Sequence, residues 1–436
     1  MKRKILALLM ISAMFLISCS KDTRLTPQPT MNEADYAAYD YSDHTDPREY
    51  LYTTLFTDTS KIKNGKPVIA QKEVNASWSW IRFMGFDVKD EVFGYDVRSC
   101  DISKEDLSVV KDVNDLSFDS NTTWPEILPE GFDPEELLEY NKNPGLGIRS
   151  LHQKGITGKG VSIAIIDQAL LLDHEQYEGN IKLYERIHCA DGTAQMHGPG
   201  VTSIAVGKDI GVAPKAKIYY IASTFGHFTE KSYEFDASIM ADAILRILEI
   251  NKKLAKDDKI RVISISKGYS IQDKGYDELQ AAIKKADDEN IFVLTTSTNE
   301  YYKDFMLFGM DRDYEKDPED IRSYEPVSWI AKNFYSNPDL YQDFLLFPIG
   351  SRTIAGCTNT DDYALSHNGG LSWSVPWCAG LYALCCQVKP DVTPQEFIEA
   401  AYSTAVTTDI EYLGKTYSFG KIINPKGLLD QIQSNN

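Results

Sequence analysis

Apolar residues occur in short unbroken runs along the middle of the chain, and segments with a helical repeat separate these runs. The runs are VSIAIID from Val161, AKIYYIAS from Ala216, RVISIS from Arg261, IFVLTT from Ile291 and RTIAGC from Arg352. Between them, ASIMADAILRILEI carries its apolar residues on one helical face, and YDELQAAIKKADDEN predicts a second helix. Strands that are buried on both faces and alternate with helices are typical of parallel sheets. The predicted fold class is therefore α/β, with a mainly parallel central sheet.

Three polar residues stand at or just past the ends of these runs. They are Asp167, Ser266 and Asn299. Functional groups of parallel α/β sheets gather at the carboxyl ends of the strands. We therefore expect these side chains to approach one another and to mark a site.

The first residues form a different kind of segment. Three basic residues precede the short apolar run ILALLMISAMFLIS, which is too short for a membrane span and indicates a signal peptide over residues 1–18. Leu16–Cys19 resembles the bacterial lipobox, so Cys19 is the predicted lipid attachment site. The expected location is the bacterial cell envelope, with the lipid as membrane anchor. The polar residues after Cys19 resemble export tags and suggest exposure on the outer surface. The alternative is an ordinary secretory signal that happens to contain a cysteine.

The rest of the chain divides into three parts by composition. Residues 19–34 are polar and contain prolines, which indicates a tether. Residues 35–140 are rich in tyrosine, with KPVIAQ as a predicted strand and FDPEELLEY as a predicted helix. This part is either an accessory subdomain or a pro-segment cut near NPGLG; we favour the accessory subdomain, because removal would separate the rest of the chain from its lipid. Residues 141–436 form the remaining domain, which contains the strand ends that mark the expected site.

Bulk composition favours one class of protein and argues against one kind of binding partner. The chain has 436 residues and 43% hydrophobic residues, which suits a globular protein with a substantial core. Its formal net charge of −19 argues against a nucleic-acid partner, because phosphate binding needs basic patches. The cysteines form no CxxC pair that would indicate a zinc or redox motif. Cys378 and Cys385 lie in an apolar helical run and are predicted to be buried free thiols.

Four residues together suit hydrolysis by a serine. Such chemistry needs a nucleophile, a base, a carboxylate that orients the base, and donors for the oxyanion. Asp167 ends the first strand, His197 lies in MHGPGVTSIAVG, Ser372 precedes an apolar helix, and Asn299 follows the IFVLTT strand. Each of these residues alone has an ordinary structural interpretation, such as a helix cap for the serine. The combination indicates a catalytic site.

The order Asp, His, Ser is that of the subtilisins, and the motifs agree with it. From about Asn143 to Pro394 the chain resembles the subtilisin-like serine peptidases, the subtilases, through IAIIDQAL, HGPGV, GVAPKAKIYYIA, VISISKG, STNE and GLSWSVP. The resemblance implies the three-layer subtilisin-like fold. It also implies that Asp167 orients His197, that His197 is the general base, and that Asn299 donates to the oxyanion.

The same resemblance assigns the nucleophile and the substrate contacts. In GLSWSVP, the proline four residues later selects Ser372 as the nucleophile, while Ser374 stands where the family has alanine. Ser266 and Gly268 fall at the primary specificity pocket, on the strand that pairs with the substrate backbone. Lys267 between them is interpreted as facing solvent; the alternative is that it favours acidic side chains in the substrate.

Several positions depart from the family pattern. Gln168-Ala169 replaces Ser/Thr-Gly after Asp167, which predicts the loss of a hydrogen bond to the carboxylate. Pro199 replaces a threonine, and Leu371 and Trp373 stand where threonine and methionine are usual. The bulky Trp373 is expected to narrow the cleft. Because no group that makes or breaks bonds is missing, the sequence favours an active, divergent enzyme.

The expected activity is cleavage of peptide or protein substrates through an acyl-enzyme, with no cofactor for catalysis. Relatives often carry structural calcium, but the resemblance maps no ligand set here. The acidic segments DRDYEKDPED and TNTDD are predicted to be solvated loops.

Two other classes of function compete with this one. The first is a catalytically silent subtilase fold that serves as a surface binding lipoprotein, motivated by Trp373 and the altered aspartate motif. The second is an α/β hydrolase, which the order of the residues and the absence of GxSxG argue against.

Overall fold

The computed structural model describes residues 95–99, 101–107, 116–189, 194–228, 233–367 and 369–434. The signal peptide, Cys19, the tether and the KPVIAQ segment lie outside the described residues. Within the described ranges, no helix is long and apolar enough to cross a membrane.

The chain forms short strands that we number in order along the sequence. The strands are β1 (Tyr95–Asp96), β2 (Leu116–Asp119), β3 (Ser162–Asp167), β4 (Ile181–Arg186), β5 (Lys217–Ala222), β6 (Gly226–Phe228), β7 (Tyr233–Phe235), β8 (Ile260–Ile265), β9 (Phe292–Thr295), β10 (Leu307–Arg312), β11 (Tyr324–Pro326), β12 (Leu345–Pro348), β13 (Arg352–Ala355), β14 (Tyr363–Ser366), β15 (Val406–Tyr412) and β16 (Lys415–Ile422).

The helices are numbered in the same way. The α-helices are α1 (Pro134–Tyr140), α2 (Ile148–Gln153), α3 (His197–Val206), α4 (Ala237–Lys253), α5 (Tyr276–Asp288), α6 (Ser328–Ser336), α7 (Ser374–Val388), α8 (Pro394–Ser403) and α9 (Pro425–Ser434). Local chemistry fixes their starts: Asp133, Asp236 and Thr393 each cap a helix through a side-chain oxygen that accepts from backbone N–H groups.

The central sheet has the order β4-β5-β3-β8-β9, and all its pairings are parallel. Side chains alternate along β3, so Ile163 and Ile165 join the core shared with α3 and α7, whereas Ala164 and Ile166 join the core shared with α4 and α5. The sheet is thus covered by helices on both faces. The predicted three-layer α/β fold with a mainly parallel central sheet is confirmed.

The RTIAGC run was expected to continue this parallel pattern, and that expectation is wrong. Its strand β13 pairs antiparallel with β14 in a separate sheet of order β1-β2-β14-β13. A second five-stranded sheet, β11-β10-β12-β16-β15, mixes parallel and antiparallel pairs. An apolar run alone cannot distinguish parallel from antiparallel pairing, because burial of a strand does not show which strand lies next to it.

The described part of the N-terminal region packs against the rest of the chain. Strand β2 pairs antiparallel with β14, and the Tyr314 hydroxyl donates to the Leu116 carbonyl oxygen at 2.7 Å. Phe118 and Phe132 share a small core with Leu365. Residues before and after Asn143 therefore build one continuous packing unit.

The acidic segments are only partly solvated, which corrects their interpretation as loops on the surface. Asp311 and Arg312 end strand β10 and are buried, as is Tyr314. Asp362 is buried as well and accepts hydrogen bonds from Asn121 and the backbone of Thr358. By contrast, the prediction for Cys378 and Cys385 is confirmed, since both are buried free thiols.

Candidate active site

The Asp167 carboxylate and the His197 imidazole are directly bonded. Asp167 is the last residue of β3, His197 is the first residue of α3, and Nδ1 of His197 lies 2.6 Å from Oδ1 of Asp167. The backbone N–H of Gln168 donates to the same oxygen at 2.8 Å. The Asp167 side chain is 2% exposed and that of His197 is 23% exposed, so a buried carboxylate orients a base that solvent can reach.

The second oxygen of Asp167 is buried and has no hydrogen-bond partner among the described residues. This agrees with the expected loss of a hydrogen bond where Gln168 replaces serine or threonine. Unsatisfied carboxylate oxygens are costly to bury, so Asp167 depends on the two donors that Oδ1 retains.

Glycine at position 198 lets the two motifs approach each other. A Cβ atom there would lie 2.7 Å from the Gln168 carbonyl oxygen and 2.8 Å from the Tyr220 hydroxyl. That hydroxyl donates to the Gln168 carbonyl, and burial raises the pKa of Tyr220 well above its usual value. Tyr220 therefore stays protonated and braces the backbone beside Asp167. The sequence did not predict this contact, because Tyr220 lies in an apolar run that indicates only a buried strand.

Trp373 lies beneath the His197 ring, and this corrects the expectation that it narrows the cleft. The indole is 5% exposed and stacks on the His197 ring, with centroids 5.2 Å apart and planes 26° from parallel. Gly200 makes room for it, because a Cβ atom at Gly200 would lie 2.9 Å from Cη2 of Trp373. The position of Trp373 next to Ser372 in the sequence indicated that it lies near the site. The sequence does not show in which direction the Trp373 side chain points.

Ser372 and Ser374 occupy different environments at the start of helix α7. Ser372 is half-buried in the single 3₁₀ turn Leu371–Trp373 that leads into the helix. Ser374 is fully buried, and its hydroxyl donates to the Leu371 carbonyl oxygen at 2.6 Å. The hydroxyl of Ser374 is thus bonded to the backbone inside the core, whereas Ser372 is partly accessible.

Ser266 holds Ser372 through two hydrogen bonds. The Ser266 hydroxyl donates to the Ser372 carbonyl oxygen at 2.8 Å, and the Ser372 hydroxyl donates to the Ser266 carbonyl oxygen at 3.3 Å. Within the described ranges, His197 bonds to Asp167 and makes no hydrogen bond to Ser372. Hydrogen bonds between nucleophile and base are commonly long or misaligned without substrate and tighten when it binds.

Asn299 and Gly268 lie on neighbouring strand ends. Asn299 belongs to the 3₁₀ turn Thr298–Glu300 after β9, and its side chain is half-buried. A Cβ atom at Gly268 would lie 2.8 Å from Oγ1 of Thr296, so only glycine fits beside that turn. The Thr296 N–H donates to the Lys267 carbonyl oxygen at 3.3 Å. These contacts place the segment Ser266–Gly268 between the turn that holds Asn299 and the turn that holds Ser372.

Across the residues that the structure describes, no group of three or more His, Cys, Asp or Glu side chains could hold a metal ion.

Comparison with known proteins agrees with the motifs. The sequence model of the Subtilase family matches residues 158–338, a range that contains Asp167, His197, Ser266, Gly268 and Asn299 and ends before Ser372. The subtilisin-like protease PopC of Myxococcus xanthus (strain DK1622) is 21% identical over 336 residues, which are 70% of this chain and 67% of PopC.

Solved structures also align with this chain. The prenylagaramide maturation protease PagA is 17% identical, with 66% of this chain and 99% of PagA covered at a TM-score of 0.46. MycP1 from the ESX-1 type VII secretion system is 17% identical, with 70% and 87% covered at a TM-score of 0.46. Residues 158–338 thus match the model of the Subtilase family, and the chain is similar to the subtilisin-like protease PopC over most of its length.

Proposed function

We propose that the protein is a serine endopeptidase that uses Asp167, His197 and Ser372. The observation that supports this best is the held imidazole: Asp167 bonds its Nδ1 at 2.6 Å, and Trp373, the neighbour of Ser372, stacks on its face. The remaining nitrogen of His197 is the one that a general base needs. The nucleophile turn and the base are therefore packed together.

The proposed reaction starts with a rotation of the Ser372 hydroxyl from the Ser266 carbonyl towards His197. As Oγ attacks the scissile carbonyl carbon, its proton passes to Nε2 of His197, and Asp167 stabilises the imidazolium that forms. The imidazolium then protonates the leaving amine, which leaves an acyl group on Ser372. Water, deprotonated by His197, hydrolyses this ester and restores the enzyme.

Two donors are assigned to the oxyanion of the tetrahedral intermediate. They are the side-chain amide of Asn299 and the backbone N–H of Ser372, at the start of the turn that runs into α7. Removal of one such donor costs about 3–4 kcal/mol in other serine peptidases. The partial positive charge at a helix N-terminus adds to their effect.

The experiment is a digest of a proteome-derived peptide library with the purified soluble chain, followed by mass spectrometry. We expect internal cleavages by the wild type, none by Ser372→Ala, and unchanged cleavage by Ser374→Ala, which removes a neighbouring hydroxyl as a matched control. Cleavage that persists in Ser372→Ala, or a folded wild type that cuts nothing, would contradict the proposal. The second result would favour the silent surface module.

We also propose that Cys19 carries a lipid that holds the enzyme at the bacterial cell envelope. The supporting observation is the basic and apolar start of the chain with its lipobox-like residues. Growth with an alkyne-tagged fatty acid should label the wild type and leave Cys19→Ala unlabelled. Equal labelling of both would remove the assignment.

A further inference from the structure

Lys267 lies next to the residue that contacts Ser372. It follows Ser266, which forms hydrogen bonds in both directions with Ser372. The Lys267 N–H donates to the Ile265 carbonyl oxygen at 2.7 Å, and its own carbonyl accepts from Thr296, so the backbone at Lys267 is fixed. Its side chain therefore starts from a defined point at the edge of the proposed cleft.

The Lys267 side chain is half-buried and rests on an aromatic ring. Its Nζ lies 5.0 Å from the centroid of Phe235, the last residue of β7. This places an ammonium group over a π face, where it is attracted by the ring quadrupole. The lysine is not simply extended into solvent, which was its interpretation from sequence.

No carboxylate among the described residues pairs with Lys267, although the chain has 64 acidic and 45 basic residues. Two acids flank Phe235. Asp236 accepts from Ser238 and pairs with Lys274 at 2.7 Å, and neither Asp236 nor Glu234 forms an ion pair with Lys267. Within the described residues, the Lys267 ammonium is therefore available to a carboxylate from another molecule.

Two segments adjoin Lys267. Phe235, which contacts its ammonium, is the last residue of β7 and leads into helix α4, and the loop after Gly268 packs against the start of the same helix, where the Ala237 N–H donates to the Lys274 carbonyl oxygen at 2.8 Å. The Phe235 ring can therefore contact the methylene stem of an acidic side chain while Lys267 binds its carboxylate.

We propose that Lys267 and Phe235 form a subsite that selects substrates with a glutamate or aspartate side chain on the amino-terminal side of the scissile bond. The proposal rests on the proposed peptidase function and names its substrate class. A charged hydrogen bond in a partly buried position gives a preference of about tenfold, which weakens as salt is added.

The test uses the peptide library digest of the wild-type chain and then matched peptides. The most rapidly cut acidic peptide is resynthesised with Gln in place of Glu or Asn in place of Asp, and kcat/KM is measured for both. We expect the wild type to favour the acidic peptide by about tenfold. Lys267→Met should cut both peptides at similar rates, and Lys267→Glu should favour a peptide with lysine at that position. Lys274→Met, which removes a nearby surface ammonium paired with Asp236, should keep the wild-type preference.

A fluorophosphonate probe distinguishes a wrong subsite proposal from a wrong peptidase proposal. It reacts with an activated serine and does not depend on the side chains of a peptide substrate. The probe labels both the wild type and Lys267→Met if both are active peptidases. If both also cut the peptides with the same ratio of kcat/KM between the acidic peptide and its amide counterpart, the subsite proposal is wrong and the peptidase proposal stands. The subsite is equally contradicted if the library shows no enrichment of acidic residues before the cut. If the folded wild type neither labels nor cuts, both proposals fail.

Discussion

At the residue scale, the site depends on contacts that hold one imidazole ring. Asp167 fixes Nδ1 of His197, and Trp373 fixes its face. Asp167, His197 and Ser372 are predicted from family motifs, and the structure brings the first two into direct contact. The stacking could not be predicted, because the direction of the Trp373 side chain depends on the space that Gly200 leaves in another helix.

Replacement of Trp373 should lower turnover more than it weakens substrate binding. Trp373→Ala removes the support on the His197 face, and small misplacements of a catalytic group cost about tenfold to hundredfold. We expect that loss in kcat with little change in KM, and substantial rescue by Trp373→Phe, which keeps an aromatic face. Steady-state kinetics on a peptide substrate measures both parameters.

Trp377→Phe is the matched control for the tryptophan prediction. Trp377 is buried in helix α7, which follows the turn that holds Trp373, but its Nε1 donates to the Pro144 carbonyl oxygen. Its replacement should lower stability and leave kcat unchanged. Equal kinetics for wild type and Trp373→Ala would show that the stacking has no part in catalysis.

At the scale of elements, strand β10 brings an acid into the core. Asp311 accepts from the Arg312 N–H at 3.0 Å, and burial raises the pKa of Asp311 to about 7. Glu325, its partner across the antiparallel pair, adds to the rise. The sequence pattern placed this strand end in a solvated loop, because a run of charged residues gives no sign of burial. By contrast, the central strands were predictable because parallel sheets demand apolar residues on both faces.

The buried acid predicts how stability changes with pH. The folded state holds the Asp311 proton up to about pH 7, whereas the unfolded state releases it near pH 4. Stability contributed by Asp311 is therefore present below about pH 4 and is lost as the pH rises to about 7, by up to about 1.4 kcal/mol per pH unit. Asp311→Asn should remove this part of the dependence. Denaturant unfolding at several pH values measures it, and identical slopes for both proteins would contradict the assignment.

At the scale of the whole molecule, the described residues before Asn143 belong to the same packed body as the described residues after it. Strand β2 lies against β14, Thr353 bonds to Leu138 and Asn141, and the Arg312 guanidinium donates to Asn141. We infer that this region is a permanent accessory part rather than a removed pro-segment. The sequence could not decide between the two, because its short, mixed pattern conceals partners more than two hundred residues away.

Loss of the accessory core should destabilise the whole domain. Phe118→Ala removes a fully buried ring from the core shared with Leu365 and should cost about 3–5 kcal/mol. Ile127→Ala is the control, since Ile127 is 85% exposed and its loss should have little effect. Denaturant unfolding compares the two variants. A wild-type stability for Phe118→Ala, or a mature chain that starts near Gly145, would favour the pro-segment.

The most direct measurement of the central claim is to map the residue that a fluorophosphonate modifies. The intact soluble chain is treated with the probe, digested, and sequenced by tandem mass spectrometry. A single adduct on Ser372, lost in His197→Ala and retained in Ser374→Ala, is the result that the arrangement of Asp167, His197 and Trp373 predicts. An unmodified Ser372 in folded protein, or an adduct on another serine, would contradict it.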